Sequence, residues 1–451
     1  MKNSSKYAWC IMILIIVAFV TRIFAAIFWE RRLPEGTQFY FGDSATYWWL
    51  AETIASHKPY QFEDWQIFRM PGYPLLLSPL FFLFGDSPPV MAARLENALI
   101  GTLVVAAVGL LAFQIFRNKK TALLAAAIVA FEPCSIITSV WVLSEPAFCL
   151  AMIFQISIFV SLGRAKTHLT FFLYIAAFAI LSSVTVYIRP SWLYFAPFLI
   201  ILSIFLHSFT NVFFCKKVEN TCLSPFFHQL AKDFSLIFVF LIVFCLCMSP
   251  WWVRNYRVTG HFVPTTLQIG PSFYDGWNPN ATGGSDMTFV ETFRRLERDE
   301  PTQNVDGTPS RDTYEYRVDQ RMKKAAFDWA KAHPGRVLQL AGIKFCRLWN
   351  VWPNEPDFAG TVNKIVVFLT YTPILVFSLL GLWRCRRFGY TEAGAVYGFV
   401  LIAPAIYLTM LHLIFVSSLR YRVPALLTMA ILAAFFIVDF FEKNKNSAKQ
   451  V

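Results

Sequence analysis

The acidic residue best placed for chemistry is Asp43, in the string FGDSATYWWL (41–50). It stands immediately before a run whose apolar residues fit one face of a helix, so its carboxylate is a candidate helix cap. The same position suits a general base, because a carboxylate fixed at the edge of an apolar segment can take the proton of an acceptor hydroxyl. The sequence leaves both interpretations open.

A second acidic candidate, Glu145, lies in LSEPAF (143–148), near the end of an apolar segment. Ionisable residues at such positions are costly in a membrane and usually face a cavity or the interior of a bundle. A structural ion-pair group with Arg94, Glu96 and Glu132 is the alternative to a functional role. Asp43 and Glu145 are therefore the two candidate catalytic residues.

Arginines next to aromatic residues supply candidate contacts for a phosphate and a sugar. Arg69 precedes Pro-Gly-Tyr-Pro, and its guanidinium either reaches lipid headgroups or holds the phosphate of a lipid-linked donor. The strings WWVRNYR (251–257) and SLRYRVP (418–424) repeat this pairing of arginine with aromatic rings. The candidate substrate-binding residues are Arg69, Tyr47, Tyr73, Arg254, Asn255, Arg420, Tyr421 and Arg422.

Other reaction types lack support in the sequence. No P-loop, H-E-x-x-H, G-x-S-x-G or G-x-G-x-x-G string occurs, which argues against a nucleotide-binding protein, a zinc protease or a serine hydrolase. The nine cysteines form no C-x-x-C pair, so neither a zinc site nor a disulfide framework is indicated. One boundary acid, several arginines and aromatic surfaces favour transfer from a phosphate-linked sugar over hydrolysis by paired carboxylates.

The elements that position these residues are membrane helices. Hydrophobic residues make up 56% of the chain and charged residues only 15%, against about 25% in soluble domains. The net charge of +12 lies mostly in short basic clusters between apolar segments. That pattern is typical of cytoplasmic membrane loops and not of a nucleic-acid-binding surface. We expect an all-α integral membrane protein.

Apolar runs of spanning length predict about ten transmembrane helices. They lie near residues 7–29, 90–116, 121–139, 142–162, 169–188, 191–211, 234–253, 362–383, 392–415 and 422–441. The first run is too long for a signal-peptide core and is expected to be a retained helix. The run Tyr73–Phe84 is too short to cross and contains Pro74 and Pro79, so it is expected to be re-entrant or interfacial.

Charge asymmetry predicts the orientation of these helices. One set of loops and both termini carry sixteen Lys and Arg residues, and the short loops of the other side carry seven. The positive-inside rule therefore places both termini in the cytoplasm and residue 300 outside. The predicted organisation is an N-terminal bundle, 1–253, with a catalytic first outer loop at 30–70; an extracytoplasmic loop domain, 254–361; and C-terminal membrane helices, 362–451.

Taken together, these strings resemble the family 39-type, or protein-mannosyltransferase-like, members of the membrane-embedded C superfamily of glycosyltransferases (GT-C). The matching strings occur in order over most of the chain: GDSATYWWLAETI (42–54), RMPGYPLLLSPLFFLFG (69–85), RLENALIG (94–101), LSEPAF (143–148), PWWVRNYRVTGHFVPTT (250–266), NPNATGG (278–284) and RYRVP (420–424).

The resemblance implies a GT-C fold, a polyprenyl-phosphate-linked sugar as donor and an inverting transfer on the extracytoplasmic face. It places Asp43 at the first-loop catalytic aspartate, Glu145 at a second functional acid and Arg69 near the donor phosphate. Many relatives carry two adjacent acids in the first loop, whereas Ser44 follows Asp43 here. A divalent metal therefore stays unassigned as a cofactor, and its ligands are unknown.

The expected protein is a multi-pass membrane glycosyltransferase, most simply of a bacterial inner membrane or a plasma membrane. Its expected partners are the bilayer, the lipid-linked sugar and a protein, lipid or glycan acceptor that the sequence does not identify. A transporter or flippase of lipid-linked sugars is the alternative, and His412 inside the ninth predicted span is its one supporting feature. A non-catalytic assembly factor that keeps the same motifs is a third class.

Overall fold

The structure is a computed structural model that describes residues 2–214, 223–303, 310–387 and 391–447. Parts of two predicted cytoplasmic loops, with Lys216 and Lys217, and the last residues of the C-terminal tail lie outside these ranges. Within the described ranges the chain forms seventeen α-helices and short 3₁₀ turns, and no strand beyond an isolated bridge between Phe62 and Trp65. The all-α prediction is confirmed.

The first half of the chain contains ten helices. They are α1 (Lys2–Arg32), α2 (Gly42–Ala55), α3 (Gly72–Phe84), α4 (Val90–Phe116), α5 (Lys119–Phe131), α6 (Pro133–Thr138), α7 (Glu145–Leu162), α8 (His168–Ile188), α9 (Phe195–Phe214) and α10 (Leu223–Thr259).

The second half begins with four helices of the long insertion and ends with three apolar helices. They are α11 (Ile269–Gly276), α12 (Phe289–Asp299), α13 (Tyr314–Ala332), α14 (Pro334–Trp349), α15 (Thr361–Arg387), α16 (Thr391–Ile414) and α17 (Val423–Ser447).

Eight of the described helices are long and apolar enough to cross a bilayer, so the chain is an integral, multi-pass membrane protein. They are α1, α4, α7, α8, α10, α15, α16 and α17. The predicted count of about ten is not confirmed. The predicted span 121–139 is divided between α5 and α6, because Pro133 disfavours helical backbone at Glu132. The Glu132 carboxylate then caps α6 by accepting from the backbone N–H of Ser135 at 2.5 Å.

Helix α4 packs against α1, α5 and α7. Small residues permit the close approach: a Cβ on Gly101 would lie 2.4 Å from the Cβ of Ser139. Arg22 of α1 is fully buried there and donates to Ser139 Oγ at 3.1 Å. A buried arginine in a bilayer needs such partners, so these contacts fix how α1 sits on the bundle.

The short helix α3 packs its first residue directly against the end of α8. A Cβ on Gly72 would lie 2.5 Å from the carbonyl carbon of Tyr187, a separation that side chains do not reach. Glycine is therefore required at this contact. As a result, the chain just before α3, which carries Arg69, lies beside the end of α8, which carries Arg189.

Candidate active site

Asp43 lies in the first turn of α2 but does not cap that helix. The helix begins at Gly42, with Phe41 in the cap position, and no side-chain capping bond is present. The carboxylate is turned instead toward two arginines from distant parts of the sequence. The capping interpretation of Asp43 is therefore not what this structure shows.

Two of the predicted arginines meet the Asp43 carboxylate. Arg69 Nη2 donates to Asp43 Oδ1 at 2.5 Å, and Arg420 Nη2 donates to Asp43 Oδ2 at 3.1 Å. Arg69 comes from the loop before α3, and Arg420 from the 3₁₀ turn before α17. The Asp43 carboxylate is thus bound by one arginine 26 residues away in the first loop and by one 377 residues away, and its side chain is still 32% exposed.

Glu145, the second predicted acid, belongs to the same charge cluster. It starts α7, is buried, and its Oε1 lies 3.2 Å from Arg189 Nη1 and 3.9 Å from Arg420 Nε. Arg420 therefore lies between the two acids. We call this group of five residues, Asp43, Glu145, Arg69, Arg189 and Arg420, the acid–arginine cluster.

The acid–arginine cluster holds more positive than negative charge. Burial raises the pKa of the Asp43 carboxyl, but the charges of Arg69 and Arg420 outweigh it and lower the pKa to about 2. Asp43 is therefore ionised at any physiological pH. The buried Nε of Arg69 and the buried Nη1 of Arg420 are among the described side-chain atoms that have no hydrogen-bond partner. Such donors are costly to leave unpaired, so the cluster is suited to an anionic ligand.

The predicted tyrosines surround the cluster. Tyr47 and Tyr73 are buried and meet edge to face with ring centroids 5.0 Å apart, and Asn97 donates to the Tyr73 hydroxyl at 2.8 Å. The Arg69 guanidinium lies 5.5 Å from the Tyr47 ring centre, and that of Arg420 lies 5.0 Å from the Tyr421 ring centre. These rings give the cations an apolar wall and keep them in place.

His412, the feature that favoured transport, packs beneath Tyr421. Their rings stack with centroids 4.7 Å apart, and His412 Nδ1 lies 2.6 Å from the carbonyl oxygen of Val416. The imidazole is buried and its Nδ1 is occupied by the backbone. In this position it supports the turn that carries Arg420.

Three predicted substrate contacts lie outside the cluster. Arg254 Nη2 donates to the carbonyl oxygens of Tyr60 and Gln66, both at 2.7 Å. Asn255 is fully buried and donates to the carbonyl oxygen of Val263 at 2.9 Å. Arg422 is also fully buried; it donates to the carbonyl oxygens of Leu348 and Asn350 and lies over the Tyr371 ring. The structure thus gives these side chains backbone partners.

Arg189 is the cluster residue that the sequence analysis did not select. It caps the end of α8, immediately before Pro190, and its guanidinium lies 5.5 Å from the Tyr421 ring centre. The available signal was its type and place: an arginine directly after an apolar run on the predicted outer side. In the sequence analysis Arg189 contributes only to the count of basic residues on the outer side.

The acids of the cluster do not fit a divalent-metal site. Across the described residues, no group of three or more His, Cys, Asp or Glu side chains is arranged to hold a metal ion. Asp43 and Glu145 are each occupied by arginine, and hard cations need several free oxygen ligands.

Part of the chain matches a known protein family. Residues 65–264 match the profile of the family described as dolichyl-phosphate-mannose-protein mannosyltransferase. No curated protein sequence matches the chain.

Three solved structures are similar. One is the archaeal oligosaccharyltransferase AglB from Archaeoglobus fulgidus, in complex with an inhibitory peptide and a dolichol-phosphate: TM-score 0.57, 16% identity, covering 99% of this chain and 52% of that one. A second Archaeoglobus fulgidus oligosaccharyltransferase structure, with Zn and sulfate, gives TM-score 0.50, 13% identity and coverages of 95% and 49%. ArnT from Cupriavidus metallidurans bound to undecaprenyl phosphate gives TM-score 0.44 and 14% identity, covering 95% of this chain and 78% of that one.

The chain is a multi-pass membrane protein whose fold is similar to that of a solved oligosaccharyltransferase. Residues 65–264 match the dolichyl-phosphate-mannose-protein mannosyltransferase family, in agreement with the resemblance of the sequence strings. The chain spans only about half the length of the two oligosaccharyltransferase chains, and at these identities the likeness to them concerns the fold.

Proposed function

We propose that the chain transfers one monosaccharide from a polyprenyl-phosphate-linked donor to a hydroxyl of an acceptor, with inversion at the sugar carbon. The observation that carries the proposal is the acid–arginine cluster: an ionised Asp43 held between Arg69 and Arg420, with buried guanidinium N–H groups still unpaired. The family match at residues 65–264 and the dolichol-phosphate bound to AglB support a lipid-linked donor.

Charge balance supports a donor with a single phosphate. Three arginines and two carboxylates leave the cluster with one excess positive charge. A sugar linked through one phosphate to a lipid carries one negative charge, which would neutralise the cluster. When the bond to the sugar breaks, the departing lipid phosphate gains negative charge, and the arginines stabilise it where that charge develops.

In this mechanism Asp43 is the general base. The acceptor oxygen attacks the anomeric carbon, the bond from that carbon to the lipid phosphate breaks, and Asp43 takes the acceptor's proton. With its pKa held near 2 by two arginines, Asp43 is a weak base before the donor arrives. A donor phosphate that takes Arg69 or Arg420 for itself weakens this restraint, so donor binding makes Asp43 more basic.

We place this reaction on the extracytoplasmic face, with both termini in the cytoplasm. The support is the excess of Lys and Arg on the opposite set of loops. A bacterial inner membrane or a plasma membrane accommodates this arrangement. The acceptor is a hydroxyl-bearing protein, lipid or glycan.

The replacement of Asp43 by Asn tests the proposal. Asn has nearly the size of Asp but cannot accept the proton, and loss of a general base costs on the order of 10²–10⁴ in rate. We expect kcat to fall at least about a hundredfold. The KM for the donor should stay the same or decrease, because Arg69 and Arg420 lose their competing carboxylate.

Glu52→Gln is the matched control, since Glu52 lies on the same helix and contacts only Lys58 among the described charged groups. It should leave both constants unchanged. A kcat for Asp43→Asn within a few-fold of the wild-type value would remove Asp43 as the base and make Glu145 the leading candidate. An unchanged kcat with a large rise in donor KM would instead assign Asp43 to donor binding.

A further inference from the structure

The segment that leads to Arg69 is fastened by the outer insertion. Glu315, in the first turn of α13, accepts from the backbone N–H of Gln66 at 2.8 Å and from that of Ile67 at 3.0 Å. The Glu315 carboxylate is buried, so hydrogen bonds from these two N–H groups take the place of hydrogen bonds from water. Two backbone N–H groups of the first loop therefore donate to a side chain that lies 249 and 248 residues away in sequence.

The carbonyl groups of the same segment are also occupied. Arg254 Nη2 donates to the Gln66 oxygen at 2.7 Å, and the backbone N–H of Leu267 donates to the Ile67 oxygen at 3.0 Å. The Tyr60 hydroxyl donates to the Arg69 carbonyl oxygen at 3.2 Å. The backbone N–H and C=O groups of Gln66 and Ile67, and the C=O group of Arg69, thus have partners although the segment is not part of a helix.

Side chains reinforce this attachment. Ile67 is fully buried, and Trp65 packs with Val318 and Met322 of α13 in a hydrophobic cluster separate from the main core. Residues 65–67 are therefore held by α13 through both backbone and side chains. Arg69 follows two residues later, and its guanidinium must lie within 2.5 Å of Asp43 Oδ1 to make the contact observed.

We propose that Glu315 is a positioning residue: by holding the backbone of Gln66 and Ile67 it places Arg69 to receive the donor phosphate. The inference rests on the proposed function for the identity of that ligand. It assigns the outer insertion a part in donor binding that acts through Arg69, and it gives Arg254 a positioning role in place of the phosphate contact predicted from sequence.

Titration of Glu315 adds a specific signature. Burial raises the pKa of the Glu315 carboxyl to about 7, although the N–H groups of Ile67 and Gln66 and the charge of Arg254 lower it. Asp319, on the same face of α13, raises it further. As the pH falls through about 7, Glu315 gains a proton and one of its oxygens no longer accepts freely. The hold on residues 66 and 67 is then weakened.

The test uses the full-length protein in detergent or liposomes, with Glu315→Ala and Glu315→Gln. Amide hydrogen exchange of peptides covering residues 60–69, measured without substrate, should be faster in Glu315→Ala. Its donor KM should rise about tenfold, the size expected for loss of hydrogen bonds to a charged group, with kcat and acceptor KM nearly unchanged. The wild-type donor KM should rise as the pH falls through about 7, and Glu315→Gln should lack that inflection.

Glu291→Gln is the control, because Glu291 lies on α12 of the same insertion and its ion pairs with Arg294, Arg295 and Arg298 stay within that helix. It should behave as wild type in every measurement. Faster exchange in Glu315→Ala with an unchanged donor KM would overturn the positioning role, and unchanged exchange would overturn the attachment itself. Failure of the proposed function looks different: the wild type would transfer no sugar, while the exchange difference at residues 60–69 would persist.

Discussion

At the scale of single residues, the site depends on arginines that pair with carboxylates and still keep unpaired N–H groups. Arg420 is the most connected of them, since it contacts Asp43 and lies 3.9 Å from Glu145. Arg422, only two positions away, binds backbone carbonyls deep in the bundle. Residue type and local sequence were alike for these two arginines. Only the direction in which the chain presents them separates a site residue from a structural one.

Arg189 provides the prediction at this scale, because it neutralises a buried glutamate beside the proposed donor phosphate. Truncating one partner of a buried charge pair costs about 2–5 kcal/mol. We expect Arg189→Gln to raise the donor KM by about tenfold or more, measured by initial rates at varied donor concentration. Arg164→Gln should change the donor KM little, because Arg164 lies in the loop between α7 and α8, at the end of these helices opposite to Glu145 and Arg189. A donor KM that does not change in Arg189→Gln would show that Arg189 serves structure alone.

At the scale of elements, sequence patterns predicted the long apolar helices well. The predicted run 90–116 coincides with α4, and the run 169–188 differs from α8 by one residue. Tyr73–Phe84 was expected to be too short to cross and is the short helix α3. The break between α5 and α6 was missed, because the residues on both sides of Glu132 and Pro133 remain apolar and hydropathy does not register a local change of backbone direction.

The contact between α3 and α8 makes a prediction about packing. Gly72→Ala would place a methyl group 2.5 Å from the Tyr187 backbone, so the two elements must separate. Overpacking of this kind costs about 1–3 kcal/mol. We expect a lower temperature of thermal unfolding and reduced sugar transfer, since Arg69 and Arg189 sit on the two sides of this contact.

Gly342→Ala is the matched comparison, because a Cβ there meets nothing within 4 Å and the residue lies inside α14. That change should keep the unfolding temperature or raise it slightly, as alanine favours helix by about 1 kcal/mol over glycine. Equal unfolding temperatures for the two variants would mean that α3 and α8 are not in tight contact.

At the scale of the whole molecule, the apolar bundle supplies residues of the site, whereas the outer insertion holds the first loop in position. The bundle supplies Glu145 and Arg189 from the ends of α7 and α8, while the first loop supplies Asp43 and Arg69. The insertion holds that loop through Glu315, and the end of α10 holds it through Arg254. Such long-range convergence was not predictable from local strings. Asp43, Arg69 and Arg420 were each selected, but nothing in the sequence alone placed Arg420 beside a carboxylate 377 residues away.

The measurement that most directly tests the central claim is a donor-choice assay with the purified protein in liposomes. Polyprenyl phosphates bearing one labelled monosaccharide at a time would be compared with nucleotide donors of the same sugars. The acceptors would come from a membrane extract of a strain that lacks the gene. The acid–arginine cluster and the absence of nucleotide-binding motifs predict that label is transferred from a lipid-linked donor only. Equal transfer from a soluble nucleotide sugar, or none from any lipid-linked donor, would contradict the account.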